Sequence, residues 1–104
     1  MQLLKDLHNR SIRLTAERRL HLETAHPEMA DQVSRVAETL ANPDTIVRSR
    51  TDAMVELFYK HSPSTPVTHK FLYTVVKVLP DDHFIITAYY TDTAKRGKVL
   101  WEKK

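Results

Sequence analysis

The sequence predicts an α+β fold in which two N-terminal helices pack on one face of a four- to five-stranded antiparallel sheet. Apolar residues recur at spacings of three and four up to Asn42-Pro43-Asp44, and at every second position after it. The 104 residues suffice for one domain with a core and are too few for two. Apolar residues make up 41% of the chain and charged residues 28%, which is typical of a globular protein rather than a disordered one.

The first helix is expected between residues 16 and 26. Thr15 is a suitable N-cap because its hydroxyl can accept a hydrogen bond from the first turn. Pro27 cannot continue a helix without a kink, so the helix is expected to end at His26. The preceding Ile12-Arg13-Leu14 is either a short strand or the end of a loop.

The second helix is expected to start at Pro27 or just after it, since proline is well tolerated in a first helical turn. Its apolar stripe consists of Met29, Val33, Val36, Ala37 and Leu40. The segment Asn42-Pro43-Asp44 is expected to stop this helix.

The rest of the chain reads as strands joined by turns. The expected strands are residues 45–49, 54–60, 71–79 and 84–91, with a loop at 61–66 and the last two strands paired antiparallel. Val55, Leu57 and Tyr59 should share one face of their strand. The segment containing Gly97 and Trp101 is expected to be an edge strand or a docked tail.

Several classes of protein are excluded by composition. A single glycine argues against Gly-rich phosphate loops, and the absence of cysteine excludes disulfides, thiol nucleophiles and iron–sulfur ligation. No apolar run approaches the ~18–20 residues of a membrane span, and the N-terminus does not resemble a signal peptide. We therefore expect a cytoplasmic protein without a membrane association, a metal or a cofactor.

The positive charge is confined to the second part of the chain. Lys and Arg number 16 against 13 Asp and Glu, a net charge of +3. Residues 1–41 are neutral overall, so residues 42–104 carry the whole excess. A local excess of this kind favours a polyanionic partner such as nucleic acid, although basic tails also occur on unrelated domains.

Two histidines flank the expected helix break. His21 and His26 are five positions apart, which is not the spacing of a helical metal pair. One imidazole could act as a general base or acid at the helix terminus. Alternatively, His26 only caps the helix and His21 is half buried. The other histidines, His8, His61, His69 and His83, are expected at the surface.

Basic and hydroxyl side chains on the strands form a second candidate group: Arg48-Ser49, Tyr59-Lys60, Lys77 and Thr87-Ala88-Tyr89-Tyr90. The candidate site residues among them are Arg48, Tyr59, Lys77 and Thr87. Lys77 interrupts an apolar strand, so its ammonium must face water or find a partner. A two- or four-residue hairpin loop pairs Lys77 with Ile86, and an odd-length loop or a bulge brings it opposite Thr87. Both registers remain open.

These residue types suit RNA cleavage without a metal. That reaction needs a base near the 2′-hydroxyl, an acid near the 5′-oxygen and cations beside the phosphate, where negative charge grows in the transition state. Histidine, tyrosine, arginine and lysine can fill these roles at neutral pH. The residues present permit this reaction.

The order of segments resembles a family of small phage- and bacterium-encoded domains in the Barnase–EndoU–Colicin–RelE (BECR) nuclease superfamily. The resemblance is carried by Ile12-Arg13-Leu14-Thr15-Ala16-Glu17-Arg18, His21-Leu22, His26-Pro27-Glu28-Met29, Asn42-Pro43-Asp44, Phe58-Tyr59, Val75-Val76-Lys77-Val78 and Phe84-Ile85-Ile86-Thr87-Ala88-Tyr89. It covers residues 12–101, with residues 1–11 as an N-terminal extension of the single domain 1–104.

The resemblance implies a metal-independent endoribonuclease, often the toxin of a toxin–antitoxin pair. Our leading interpretation is a domain of this kind that cleaves RNA, with His21 and His26 near the scissile bond, Arg48 and Lys77 on the phosphate, and Tyr59 and Thr87 as polar support. RNA is then the substrate, and a cognate antitoxin is expected to cover the basic surface near Arg48 and Lys77. The alternatives are a non-catalytic module that binds protein or nucleic acid, and a degenerate phage domain that serves only assembly through a strand edge.

Overall fold

The computed structural model describes residues 1–61, 71–93 and 97–103. In chain order the elements are β1 (Gln2–Lys5), β2 (Ser11–Leu14), α1 (Ala16–Ala25), a 3₁₀ turn (Pro27–Met29), α2 (Val33–Ala41), β3 (Thr45–Arg48), β4 (Val55–His61), β5 (Phe71–Leu79), β6 (Asp82–Thr91) and β7 (Lys98–Glu102). Residues 62–66 of the expected loop and His69 lie outside the described residues. None of the described helices is long and apolar enough to cross a membrane.

The fold is α+β, but the prediction of a four- to five-stranded antiparallel sheet with two N-terminal helices packed on one face is wrong. The described residues form one mixed sheet of seven strands in the order β1-β2-β6-β5-β4-β3-β7, and two strands precede the helices. All neighbours are antiparallel except β2 and β6, which are parallel where Arg13 pairs with Phe84. The expectation failed because β1 and β2 have only four residues each, and because their hairpin joins the sheet where Arg13 pairs with Phe84, 71 positions further along the chain.

The first helix follows the sequence expectation closely. The Thr15 hydroxyl accepts a hydrogen bond from the backbone N–H of Arg18, and His26 is the C-cap residue. The second helix starts later than expected, at Val33, because Pro27–Met29 forms only a single 3₁₀ turn. Asp31 then adopts a φ of 61°, in the left-handed region, which interrupts any continuous helix. Asn42 ends α2 as expected.

The main core lies between the helices and one face of the sheet, called here the helix face. Its buried residues are Ile12, Leu14, Leu22, Met29, Val36, Leu40, Ile46, Phe58, Leu72, Val76, Ile85, Ala88 and Tyr90. The Tyr90 hydroxyl donates a hydrogen bond to the side-chain oxygen of Gln32, at 2.9 Å, which links β6 to the start of α2. Burial raises the pKa of Tyr90, so this hydroxyl keeps its proton.

The opposite side of the sheet is called here the second face. A smaller cluster of Val47, Val55 and Leu57 lies on it, with Tyr59, Val75 and Ile86 packed around. Val55, Leu57 and Tyr59 therefore share a face, as the alternating pattern of β4 predicted. The expected antiparallel pairing of β5 with β6 is confirmed, with one shift of register between Val75 and Val76.

Candidate functional site

Three tyrosines form a row across the middle of the second face. Tyr59, Tyr73 and Tyr89 are direct cross-strand partners on β4, β5 and β6. The rings of Tyr59 and Tyr73 are stacked with centroids 5.0 Å apart, and those of Tyr73 and Tyr89 with centroids 5.7 Å apart. Stacked rings at these separations attract one another beyond the area they bury. This tyrosine row is therefore a rigid feature of the sheet.

His26 lies at the β6 end of the tyrosine row. Its ring stacks on Tyr89 with a centroid separation of 5.3 Å and an angle of 28° between the planes. The chain leaves α1 at this residue, with φ −133° and ψ 82°, because the next residue is Pro27. In the described part of the chain β2 pairs with β6 only at Phe84, so no described strand borders β6 beside Tyr89. The imidazole occupies that side of β6.

The surroundings of His26 combine exposure with order. Its side chain is 34% exposed, and its Nδ1 lies 3.9 Å from a carboxylate oxygen of Glu28. Stacking on Tyr89 restrains the ring without removing it from solvent. An imidazole held in this way can exchange a proton with a bound molecule, which is the requirement for a general acid or base.

The aromatic contacts continue at the other end of the tyrosine row. The Phe71 ring meets Tyr59 edge to face at 5.9 Å, and His61 meets Phe71 at 5.8 Å. His61 is exposed at the end of β4. The rings thus extend from one histidine, beside β6, to another at the far end of β4.

The hairpin of β5 and β6 decides where Lys77 and Thr87 lie. Leu79 pairs with Asp82 across a tight turn, so Lys77 pairs with Phe84 and with neither Ile86 nor Thr87. The shift of register then places Thr87 opposite Val75, two residues from Lys77 on β5. Since residues two apart on a strand share a face, Lys77 and Thr87 both lie on the second face.

Lys77 is engaged by a carboxylate. Its Nζ lies 2.6 Å from Asp52 Oδ2, in the turn that precedes β4. The ammonium, together with the backbone N–H of Met54, holds the pKa of Asp52 below its ordinary value. The lysine therefore has the partner that its place on an apolar strand required, and an anionic ligand would compete with Asp52 for it.

A second ion pair lies next to Lys77 on this face. Arg13 binds both carboxylate oxygens of Asp82, at 3.0 and 2.7 Å, and its guanidinium carbon lies 5.5 Å from the centroid of the Phe84 ring. Hydrogen bonds from this guanidinium lower the pKa of Asp82. The pair links β2 to the start of β6.

Arg48 and His21 do not join this group. Arg48 is exposed at the end of β3, opposite Glu56 and Lys98 and two residues from Ile46, which places it on the helix face. His21 is exposed on α1, whose single buried residue is Leu22. The structure thus places Tyr59, Thr87 and Lys77 on the second face, with His26 at the edge of β6 beside Tyr89, and leaves the other two candidates apart.

The sequence interpretation passed over Tyr73, and it grouped Tyr89 with the other strand hydroxyl groups without giving it a role at the site. Both are aromatic residues on strongly β-forming segments, and Tyr73 is fully buried. The signal was the alternation of aromatic residues at positions 59, 71, 73 and 89. Using that signal requires the register of three strands, and the bulge in β6 changes this register by one residue.

The other two described histidines are not part of the candidate site. His8 is exposed and His83 is partly exposed. No group of three His, Asp or Glu side chains suited to a metal ion occurs within residues 1–61, 71–93 and 97–103.

Comparison of the chain with protein-family models, with curated proteins and with solved structures gives no match.

Proposed function

We propose that this protein is a metal-independent endoribonuclease in which His26 transfers a proton at the scissile phosphate. The proposal is carried by one observation: a partly exposed imidazole stacked on Tyr89 at the end of the tyrosine row. Histidine is the side chain whose ordinary titration lies nearest neutral pH, so it can accept and donate protons under physiological conditions. The resemblance to the BECR superfamily supports the same reaction.

The reaction requires two proton transfers. A base removes the proton of the 2′-hydroxyl, and this oxygen attacks the adjacent phosphorus. The bond from phosphorus to the 5′-oxygen breaks, and an acid protonates the leaving oxygen. The products are a 2′,3′-cyclic phosphate and a 5′-hydroxyl, with no net change in protons. His26 performs one of the two transfers.

Lys77 and the hydroxyl groups of the second face would bind the RNA backbone. Lys77 pairs with Phe84, ~16 Å along β6 from Tyr89, so in this proposal its ammonium exchanges Asp52 for a phosphate of the same strand other than the one cleaved at His26. Thr87 and Tyr59 contribute neutral hydrogen-bond donors on the same face. Arg48 is left out of the phosphate site because it lies on the helix face.

The biological setting proposed is that of a toxin with a cognate antitoxin in the cytoplasm, where RNA is the substrate. An acidic antitoxin would be attracted by the excess of basic residues in positions 42–104. Such a partner would block the second face and displace RNA from Lys77.

A second candidate is a binding module without turnover, and a specific observation favours it. Both Lys77 and Arg13, the cations on the second face described above, are held by carboxylates. A ribonuclease needs a cation at the phosphate, so these ion pairs reduce the charge available for catalysis. The two candidates differ in whether RNA is cleaved.

The test is incubation of the purified protein with total RNA, with and without EDTA. Cleavage should persist in EDTA, and His26→Ala should lower its rate by ~10²–10⁴-fold, the usual contribution of one general acid or base. His8→Ala is the matched control, since His8 is also exposed and lies in the β1–β2 loop. Both variants should keep a thermal midpoint close to that of the parent protein.

Two results would contradict the proposal. Full activity of His26→Ala would remove this residue from the reaction. Binding of RNA without any cleavage would leave the binding module as the function.

A further inference from the structure

A cavity of about 180 Å³ lies between the start of α1 and β6. It is lined by Arg13, Thr15, Glu17, Arg18, Phe84 and Ile85. Pockets for drug-sized ligands have volumes of roughly 300–1,000 Å³, so this cavity is suited to a smaller group. A single planar ring system is a ligand of that scale.

One side of the cavity presents an aromatic ring with a fixed cation. Phe84 is partly exposed, and the Arg13 guanidinium lies over its ring. The two hydrogen bonds to Asp82 restrain this guanidinium and balance its charge. A flat ligand could therefore stack on preorganised planar groups without the cost of ordering them.

The other side presents one donor group and one acceptor group. Within the described residues the Glu17 carboxylate and the Arg18 guanidinium form no hydrogen bond or ion pair. Because Asp82 balances Arg13 and these two side chains balance each other, the cavity carries no excess positive charge. This balance suits a neutral ring with hydrogen-bonding edges better than it suits a phosphate group.

The cavity lies on the same flank of β6 as His26. α1 starts at the cavity and ends beside His26, and its ten residues span ~15 Å. On β6 the five-residue step from Phe84 to Tyr89 spans a similar ~16 Å. A nucleic acid strand lying along β6 could reach both places with different nucleotides.

We propose that this cavity binds one base of the RNA strand, several nucleotides from the phosphate cleaved at His26. The assignment of RNA rests on the proposed function, whereas the binding of a base is a property of the cavity alone. Adenine, cytosine and guanine carry an exocyclic amino group that can donate to Glu17, whereas uracil has a carbonyl oxygen where cytosine has its 4-amino group, and a carboxylate repels that oxygen. The cavity therefore discriminates against uracil.

In the binding test, AMP, CMP, GMP, UMP and inorganic phosphate are each titrated separately into the labelled protein. Binding is monitored by two-dimensional NMR. The first three should shift the amide signals of residues 15–18 and 84–85. UMP should bind about tenfold more weakly or worse, because the Glu17 carboxylate meets a carbonyl oxygen in place of an amino donor. Inorganic phosphate should leave these signals in place.

Glu17→Ala should remove the preference between CMP and UMP, with Glu23→Ala as the control. Glu23 is on the same helix but pairs with Arg19, outside the cavity. Phe84→Leu should weaken all four nucleotides by removing the stacking surface. Because Glu17 is exposed, its variant tests the inference even if Phe84→Leu is poorly folded.

The inference is overturned if inorganic phosphate alone reproduces the shifts, or if no nucleotide moves the amides of the cavity. It is also overturned if Glu17→Ala keeps the discrimination against UMP. Nucleotide binding in a protein that cleaves no RNA would contradict the proposed function but would still support base binding in the cavity. RNA cleavage with no response at the cavity would contradict the inference alone.

Discussion

Thr74 places a hydroxyl group in the interior of the sheet. It is fully buried on β5 between Phe58 and Ala88, both of which belong to the main core. Its Oγ1 has no hydrogen-bond partner among the described residues. A buried polar group without a partner loses its hydration and gains nothing in return, at a cost of ~1–3 kcal/mol.

We expect Thr74→Val to raise the free energy of unfolding by ~1 kcal/mol, because valine has nearly the same shape and no hydroxyl to desolvate. The measurement is urea denaturation followed by circular dichroism. Thr39→Val is the matched control, since Thr39 is equally buried but its hydroxyl donates to the Arg35 carbonyl at 2.9 Å. The control should lose stability. A loss of stability in Thr74→Val would show that its hydroxyl has a partner in solution.

Single residues at helix ends were predictable because their roles are local. Thr15 as the N-cap and His26 as the C-cap of the first helix follow from one hydroxyl and one proline. The partner of His26 was not predictable in the same way. Tyr89 is 63 positions further along the chain, and nothing near His26 in the sequence indicates a stacking ring.

At the scale of elements, the only glycine in the sequence lies where β7 meets β3. A Cβ atom at Gly97 would overlap the backbone carbonyl oxygen of Arg48. Arg48 pairs with Lys98, the first residue of β7. Glycine therefore permits the close approach that docks the seventh strand on the sheet.

Gly97→Ala should destabilise the β3–β7 pairing and lower the free energy of unfolding by ~1–3 kcal/mol, because backbone atoms must move to admit the methyl group. In the variant, amide hydrogen exchange in residues 98–102 should become faster than in the parent protein. Exchange in the β5–β6 hairpin should change little. Ala53→Gly, in the exposed turn before β4, is a control for a small change of side chain elsewhere. Unchanged exchange in β7 would mean that the strand docks without this close approach.

For the molecule as a whole, two ion pairs on the second face make the free energy of unfolding depend on pH in the acid range. Hydrogen bonds from Lys77 and Arg13 lower the folded-state pKa of Asp52 and Asp82 from the ordinary value of 3.8. In the unfolded chain these partners are lost and the ordinary pKa returns. The stability from each pair is thus fully present above about pH 4 and is lost as the pH falls through the folded-state pKa.

We expect Asp82→Asn to lower the thermal midpoint at pH 7. The difference in thermal midpoint between the variant and the parent protein should shrink as the pH approaches 2. The measurement is a series of thermal melts from pH 7 to pH 2. Asp81→Asn, at an exposed position in the same turn, should follow the parent protein at every pH. A constant gap between Asp82→Asn and the parent at all pH values would show that the charge of Asp82 is not responsible.

Local sequence accounts for the α+β class, the caps of the first helix, the strands that become β3 to β6, and the pairing of β5 with β6. These features depend on neighbouring residues, through the apolar period, proline and side-chain caps. Long-range contacts set the seven-stranded mixed sheet, the parallel contact of β2 with β6, and the positions of Arg48 and Lys77 relative to His26. Strand order and register depend on residues far apart in the chain, and one bulge on β6 shifts every later pair.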